Sequence, residues 1–204
     1  MSETVLILVV GTAVLAILVG ARLAMRAVAG GAATATSRSD GGETPASAAG
    51  APDVAGVIAL PPFILLGFLV AATVLEAVVP LPVLGAHALA RYLAGAALAA
   101  CGLVLIGMGT RRFVAAGTNI PPNLPTTALV VDGIYGRTRN PLYLGTTLVY
   151  LGLSVAAGSL WAILLMVPLL WVINVGVIAR EERYLERKFG DAYRAYKGRV
   201  RRWV

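Results

Sequence analysis

The sequence predicts an all-α integral membrane protein with five transmembrane helices. Of its 204 residues, 58% are hydrophobic and 13% are charged, and the mean hydropathy is +0.83. An ordinary soluble domain carries about 25% charged residues. The hydrophobic residues form runs of about 20, the length of helix that crosses a bilayer. The basic residues gather on one side of these runs, as membrane topology requires.

Five runs are predicted to span the bilayer. They are roughly Thr4–Val28, Val57–Val79, Ala88–Thr110, Pro141–Gly158 and Leu160–Ala179. Of the 17 basic residues, 16 lie at the end of the first, third or fifth run or after it, which predicts an N-terminus outside and a C-terminus in the cytoplasm. In the first run, Glu3 precedes the apolar residues and the arginines follow them, the reverse of a secretory signal. We therefore expect residues 1–29 to be an uncleaved transmembrane helix.

The counts of charged and metal-binding residues restrict the function. The net charge of +7 would suggest nucleic acid in a soluble protein. Because nearly all of the basic residues mark one side of the membrane, we expect membrane lipids as partners and no nucleic acid. One cysteine, Cys101, and one histidine, His87, offer no ligand set for zinc, haem or iron–sulfur, so we expect no metal.

The chain divides into an N-terminal helix, a linker and a core. Residues 30–56 are rich in Gly, Ala, Ser, Thr and Pro without periodicity, which predicts a flexible linker. Residues 57–204 are predicted to form a four-helix core. Its cytoplasmic loop, 111–140, is interrupted by prolines and glycines, and loops of this length are usually functional. The segment 180–204 mixes aromatic residues with cations, which is typical of an interfacial helical segment, here broken at Gly190.

Polar side chains follow one face of the fourth span and the end of the fifth. Four of them are spaced by four, three and four residues and share a helix face: Tyr143, Thr147, Tyr150 and Ser154. Such a stripe either joins helices or lines a cavity. On the fifth span Asn174 and Glu181 share a face, with Glu182 turned about 100° away. The two glutamates are equally consistent with solvated interfacial charge.

The fourth and fifth spans meet through a very short turn, Gly158-Ser159, so we expect an antiparallel hairpin. Its cytoplasmic mouth gathers polar residues from both spans: Arg139, Asn140, Arg180, Glu181 and Glu182. Pro141 suits the first turn of the fourth helix. The free backbone N–H groups at this end favour an anionic group.

The order of these residues carries a family resemblance. Arg139–Gly145 lies about 35 residues ahead of Arg180–Glu182, which Phe189–Tyr196 follows. This arrangement resembles the isoprenylcysteine carboxyl methyltransferase and phospholipid methyltransferase superfamily of integral membrane methyltransferases. Leu129–Tyr135 is similar to the segment that precedes their Arg-His-Pro signature. The resemblance covers residues 117–200, about 40% of the chain.

The resemblance implies that S-adenosylmethionine binds between the last two helices, the preceding loop and the C-terminal segment. It implies eleven cofactor-binding residues: Gly133, Tyr135, Asn140, Tyr143, Leu144, Gly145, Asn174, Glu181, Glu182, Tyr193 and Tyr196. Either glutamate would bind the ribose hydroxyls or the ammonium group of the cofactor, and the last two tyrosines would close the pocket. Asn140 stands where the family has a histidine, which removes a titratable ring and keeps a hydrogen-bonding group.

The resemblance also implies a lipophilic methyl acceptor that enters from the bilayer. Arg139 would act at the reaction centre by holding an anionic group of the acceptor, with Arg180 and Tyr150 as further acceptor-binding candidates. A carboxylate needs no base, whereas an amine or a phenol must lose a proton. Because the predicted pocket has no histidine, an anionic acceptor such as an isoprenylcysteine-type carboxylate is favoured. A prenylcysteine, a lipid amine, a phenol and a small thiol all stay open.

The favoured function is thus methyl transfer at the cytoplasmic face of the inner (plasma) membrane. An NADPH-dependent membrane reductase of a lipophilic substrate is the first alternative, because the C-terminal halves of such enzymes look similar to those of the membrane methyltransferases. They usually have more spans, and five spans leave little room for the second half of the nucleotide. A non-catalytic transporter or scaffold is the other alternative. A transporter would need a buried charge or a broken helix near the midplane, for which Pro61-Pro62 is the one candidate break.

Overall fold

The structure, a computed structural model, describes residues 2–14, 16–17, 53–82, 85 and 87–204. These residues form helices, turns and loops and contain no β-strand. The α-helices are α1 (Glu3–Val14), α2 (Pro61–Val78), α3 (Ala88–Ala115), α4 (Pro141–Ala157), α5 (Leu160–Val172), α6 (Ala179–Phe189) and α7 (Asp191–Arg199). A short 3-10 turn, Gly133–Gly136, lies between α3 and α4. A π-helical turn, Ile173–Ile178, joins α5 to α6.

Three of the described helices are long and apolar enough to cross a membrane: Pro61–Val78, Ala88–Ala115 and the continuous helix Leu160–Phe189. Helix α4 is apolar but has 17 residues, and α1 is shorter still. The prediction of an all-helical membrane protein is therefore confirmed. The count of five spans and their orientation stay predictions. Most of the second half of the predicted first span, and residues 30–52 of the predicted linker, lie outside the described residues.

Several predicted helix boundaries differ from those of the structure. Pro61 and Pro62 form the first turn of α2, where the fixed φ of proline suits the helix, so they begin this helix and do not break it. Helix α3 continues past the predicted end at Thr110 to Ala115. Its last turn carries Arg112, whose guanidinium pairs with Asp132 at 2.8 Å on the other side of the loop.

The predicted hairpin of α4 and α5 is confirmed. Gly158 ends α4 with a φ of +68°, a left-handed conformation that glycine adopts without the steric cost of a Cβ. The Ser159 side chain then accepts a hydrogen bond from the Ala162 N–H and caps α5. The same hydroxyl donates to the buried Glu76 carboxylate at 2.8 Å, which ties this end of the hairpin to α2.

Helices α3 and α4 approach closely at positions seven residues apart. Three contacts are made: Gly95 with Gly152, Gly102 with Gly145, and Gly109 with Leu142. A Cβ at Gly152 would lie 2.5 Å from the Gly95 carbonyl oxygen, closer than real atoms approach. Small residues permit this kind of contact between membrane helices. The pairing fixes the start of α4 beside the end of α3.

We expect Gly152→Ala to destabilise the protein by about 1–3 kcal/mol, because the added methyl group overpacks a contact between two helix backbones. Gly107→Ala is the matched control, since a Cβ at Gly107 in the same pair of helices meets nothing within 4 Å. Chemical denaturation of both variants in detergent measures the difference. Equal stability of the two variants would refute the close approach of α3 to α4.

The buried core lies between α1, α2, α4 and α5. It includes Leu8 of α1, Leu65 and Leu69 of α2, Tyr150 of α4 and Leu169 of α5. The polar stripe of α4 is turned into this packing. The Tyr150 hydroxyl donates to the Ala162 carbonyl oxygen at 2.9 Å, and Ser154 donates to a carbonyl of its own helix. Tyr150 therefore joins α4 to α5, whereas the hydrogen bond of Ser154 stays within α4.

The C-terminal segment is helical on both sides of Gly190, as predicted. Gly190 has a φ of +54° and a ψ of −126° and separates α6 from α7. Residues at the end of the predicted linker are held against α6: Asp53 pairs with Lys188 at 2.6 Å, and Arg180 donates to the Gly56 carbonyl oxygen at 2.9 Å. α7 and the C-terminal residues lie against the loop and the start of α4, because Tyr196 donates to the Tyr135 carbonyl oxygen and the Arg201 carbonyl accepts from the Arg139 N–H.

Candidate functional site

The start of α4 and the start of α6 are joined by a partly buried hydrogen bond. The Tyr143 hydroxyl donates to the Glu181 carboxylate, with 2.8 Å between Oη and Oε1. Tyr143 lies in the first turn of α4, directly after the Arg139–Pro141 sequence that begins the helix. The hairpin therefore brings a phenol and a carboxylate together at its mouth, as the sequence predicted for these two ends. Within the part of the chain that the structure describes, the other Glu181 oxygen has no hydrogen-bond partner.

The neighbouring glutamate, Glu182, is shared by two arginines. Its carboxylate pairs with Arg139 at 3.0 Å and with the Arg202 guanidinium, which donates through both Nε and Nη2. The side chains of Glu182 and Arg139 are 8% and 10% exposed, whereas that of Arg202 is 37% exposed. Bonding to Glu182 raises the pKa of Arg202. Glu182 thus balances the charge of a nearly buried arginine.

Three buried tyrosines complete the cluster. The Tyr196 hydroxyl donates to the Tyr135 carbonyl oxygen at 2.7 Å, and the Tyr193 and Tyr196 rings lie 6.1 Å apart. The Tyr135 ring meets Phe113 of α3 edge to face at 5.2 Å. Burial raises the pKa of Tyr196 to about 12 and holds the pKa values of Tyr135 and Tyr193 well above the usual 10. All three hydroxyls are therefore donors at neutral pH.

Two buried polar atoms in this cluster have no hydrogen-bond partner within the part of the chain that the structure describes. They are the Tyr135 hydroxyl and the Arg139 Nε. Buried donors are paired in nearly all native proteins, so each unpaired one requires an explanation. A polar ligand that accepts from both atoms would satisfy them. The partly buried Glu181 carboxylate, the aromatic rings and these two donors together form a cluster of polar and aromatic groups at the mouth of the hairpin.

The C-terminal residues close the mouth from the other side, which the sequence analysis missed. The Arg201 carbonyl accepts from the Arg139 N–H at 3.0 Å, and the Arg202 carbonyl accepts from the Asn140 side chain at 2.9 Å. Trp203 donates through Nε1 to the Asn174 side-chain oxygen at 3.2 Å. The run of basic residues in this segment gave no signal that distinguished Arg202 from its neighbours. Asn140 and Asn174 are thus both held by the C-terminal residues.

The contacts that the structure gives the other predicted site residues are with partners other than Tyr143 and Glu181. Gly145 packs against Gly102 of α3, and Tyr150 lies in the core. Arg180 reaches Gly56, and Gly133 lies beside Arg112 with a φ of +60°. Leu144, next to Tyr143, is half-buried and donates its N–H to the Asn140 carbonyl. Their roles in binding cofactor or acceptor stay predictions.

A comparison with known protein families identifies a family that matches this chain. A model of the phospholipid methyltransferase family matches residues 90–192, half of the chain. This range runs from α3 to the first residues of α7 and includes Arg139, Tyr143, Glu181 and Glu182. Tyr193, Tyr196 and the C-terminal residues lie beyond it.

Two similar proteins match the chain over shorter stretches. An uncharacterized protein of Haemophilus influenzae is 48% identical over 63 residues, which are 31% of this chain and all of that protein. The protein-S-isoprenylcysteine O-methyltransferase of Schizosaccharomyces pombe is 39% identical over 72 residues, which are 35% of this chain and 30% of the length of that enzyme. No solved structure matches. The family model, the similarity to the yeast enzyme and the apolar helices all agree with the motifs. The protein therefore belongs to the phospholipid methyltransferase family, within the superfamily of membrane methyltransferases that its sequence resembles.

Proposed function

We propose that this protein transfers a methyl group from S-adenosylmethionine to a lipophilic acceptor that reaches the hairpin mouth from the bilayer. The observation that carries the proposal is the Tyr143–Glu181 pair beside two unpaired buried donors, in a chain that belongs to a methyltransferase family. The sulfonium group of the cofactor supplies an electrophilic methyl group. The protein has to align the acceptor with it and exclude water.

Glu181 is the carboxylate that we assign to the cofactor. It accepts one hydrogen bond, from Tyr143, and keeps the other oxygen for a ribose hydroxyl or an ammonium group. Glu182 is occupied by two arginines, which favours a role in holding Arg139 in place. Tyr135, Tyr193, Tyr196 and Asn140 would surround the cofactor, with Leu144, Gly145, Gly133 and Asn174 at its edges.

Arg139 is the residue that we assign to the acceptor. Its Nη2 pairs with Glu182, and its buried Nε still has a hydrogen to donate. An acceptor carboxylate would satisfy that donor and would need no base. The name of the yeast relative, an isoprenylcysteine O-methyltransferase, supports a carboxylate of this kind. Arg180 would act farther along the path of the acceptor, and the site would open on the cytoplasmic face.

The choice of cofactor can be tested by ligand stabilisation of the detergent-solubilised protein. S-adenosylhomocysteine is expected to raise the melting temperature in a saturable manner, because a ligand that binds the folded state stabilises it. NADPH at the same concentrations is expected to have no effect. Stabilisation by NADPH and not by S-adenosylhomocysteine would contradict the proposal and would favour a reductase.

A further inference from the structure

The outer face of α5 and of the π-helical turn that follows it is exposed and apolar. Leu164, Val167, Trp171 and Val175 follow one another at steps of three or four residues, and each is more than half exposed. In a membrane protein, such a face is covered by lipid. Ala179, one step further, is half-buried. Two arginines, Arg183 and Arg187, then continue the same series on α6 and are exposed.

The predicted fifth span places Arg183 at the headgroup level of the bilayer and Arg187 just beyond it. The predicted span Leu160–Ala179 has 20 residues, which make about 30 Å of helix, the thickness of the hydrocarbon core. Arg183 lies about 6 Å farther along the axis, and Arg187 about 12 Å. The headgroup layer is about 5–8 Å thick. Arginine side chains are long enough to turn back toward that layer.

These two arginines lie in an open depression of about 550 Å³ that is lined by Arg183, Glu186, Arg187, Gly190 and Arg194. The nearby carboxylates are already paired: Asp191 binds Arg194 at 2.7 Å, and Glu186 binds Lys197 at 3.2 Å. Among the residues that the structure describes, no carboxylate pairs with Arg183 or Arg187. Two like charges four residues apart on a helix repel each other. An anion between them would relieve that repulsion.

We propose that Arg183 and Arg187 bind the phosphate group of an anionic phospholipid. Guanidinium groups bind phosphate oxygens in a bidentate geometry, which favours arginine over lysine at such a site. The lipid chains would lie along the exposed face of α5, in line with the arginines. The bound lipid fixes the C-terminal helices at the membrane surface. This site is separate from the hairpin mouth and does not depend on methyl transfer.

The test compares the lipid-dependent stability of three proteins in detergent micelles. Phosphatidylglycerol is titrated into the wild type, the double variant Arg183→Gln/Arg187→Gln and the control double variant Arg111→Gln/Arg137→Gln. The control removes the same charge from exposed arginines at the same end of the helices. The wild type and the control should be stabilised at the same lipid concentration. The Arg183→Gln/Arg187→Gln variant should need a phosphatidylglycerol concentration about thirtyfold higher for the same stabilisation. This factor corresponds to about 2 kcal/mol for two arginines at a lipid surface.

Two additional titrations identify the ligand. Phosphatidylcholine has no net charge and should stabilise all three proteins weakly and equally. Inorganic phosphate lacks the lipid chains and should give no stabilisation at the concentrations where phosphatidylglycerol acts. Equal stabilisation of the wild type and the Arg183→Gln/Arg187→Gln variant by phosphatidylglycerol would overturn the proposal. Equal effects of inorganic phosphate and phosphatidylglycerol would also overturn it, because they would indicate a site for soluble anions.

Discussion

Replacement of Glu181 by glutamine is expected to weaken the binding of S-adenosylhomocysteine by about 1–3 kcal/mol, or about five- to 150-fold. The variant keeps the size of the side chain and its contact with Tyr143, but it removes the charge that would bind an ammonium group or strengthen a bond to the ribose hydroxyls. Calorimetric titration of the purified protein measures the loss. Tyr143→Phe should cause a smaller loss, because it removes only the donor that orients the carboxylate.

Glu186→Gln is the matched control for this experiment. Glu186 lies on the same helix, is partly exposed and pairs with Lys197 in a surface ion pair of small energetic value. The Glu186→Gln substitution should leave the affinity for S-adenosylhomocysteine unchanged. If Glu181→Gln also binds with wild-type affinity, Glu181 belongs to the interfacial charge of the protein and not to the cofactor site.

The second large effect is expected on stability. Glu182→Gln should destabilise the protein by about 3–5 kcal/mol, because it leaves the nearly buried Arg139 without a counter-charge. Arg202→Gln should destabilise the protein less than Glu182→Gln does, since Arg202 is more exposed and Arg139 would still neutralise Glu182. Denaturation in detergent compares the two variants. A Glu182→Gln variant within about 1 kcal/mol of the wild type would show that the pair is as weak as an exposed ion pair.

The same variants separate the roles of the adjacent glutamates. Where Glu182→Gln still folds, its affinity for S-adenosylhomocysteine should fall less than that of Glu181→Gln. The opposite order would assign the cofactor to Glu182. The sequence alone left both glutamates as candidates, because neighbours on a helix differ only in the direction they face. The structure distinguishes them by their partners. Glu181 accepts a hydrogen bond from Tyr143, whereas Glu182 pairs with two arginines.

Local rules predicted the framework of the site. A two-residue turn between two apolar runs required a hairpin, and the hairpin required Arg139 and Glu181 to meet at one end. The break at Gly190 followed from the conformational freedom of glycine. The positions of α4 and α6, and several of their polar residues, were therefore predictable from spacing alone.

Long-range contacts were not predictable in this way. Tyr150 shares a helix face with Tyr143, yet its hydroxyl binds Ala162 because the α4–α5 packing buries it. Arg202 is one of several basic residues at the C-terminal end, and only the path of the backbone after α7 aligns it with Glu182. The π-helical turn at Ile173–Ile178 was also not predicted, because no residue pattern in the sequence marks it. Such turns occur frequently at functional sites.

The most direct test of the central claim is methyl transfer itself. The purified protein is incubated with S-adenosylmethionine that carries a labelled methyl group and with a prenylated cysteine whose carboxylate is free. The account predicts label in the lipid phase as a base-labile methyl ester, and at least tenfold less product with Glu181→Gln than with Glu186→Gln, a difference of about 1.4 kcal/mol. Transfer of label to a lipid amine, with none to the carboxylate, would contradict the assignment of Arg139 to an anionic acceptor. A protein that binds S-adenosylhomocysteine yet labels no carboxylate, amine, phenol or thiol would contradict the proposed activity.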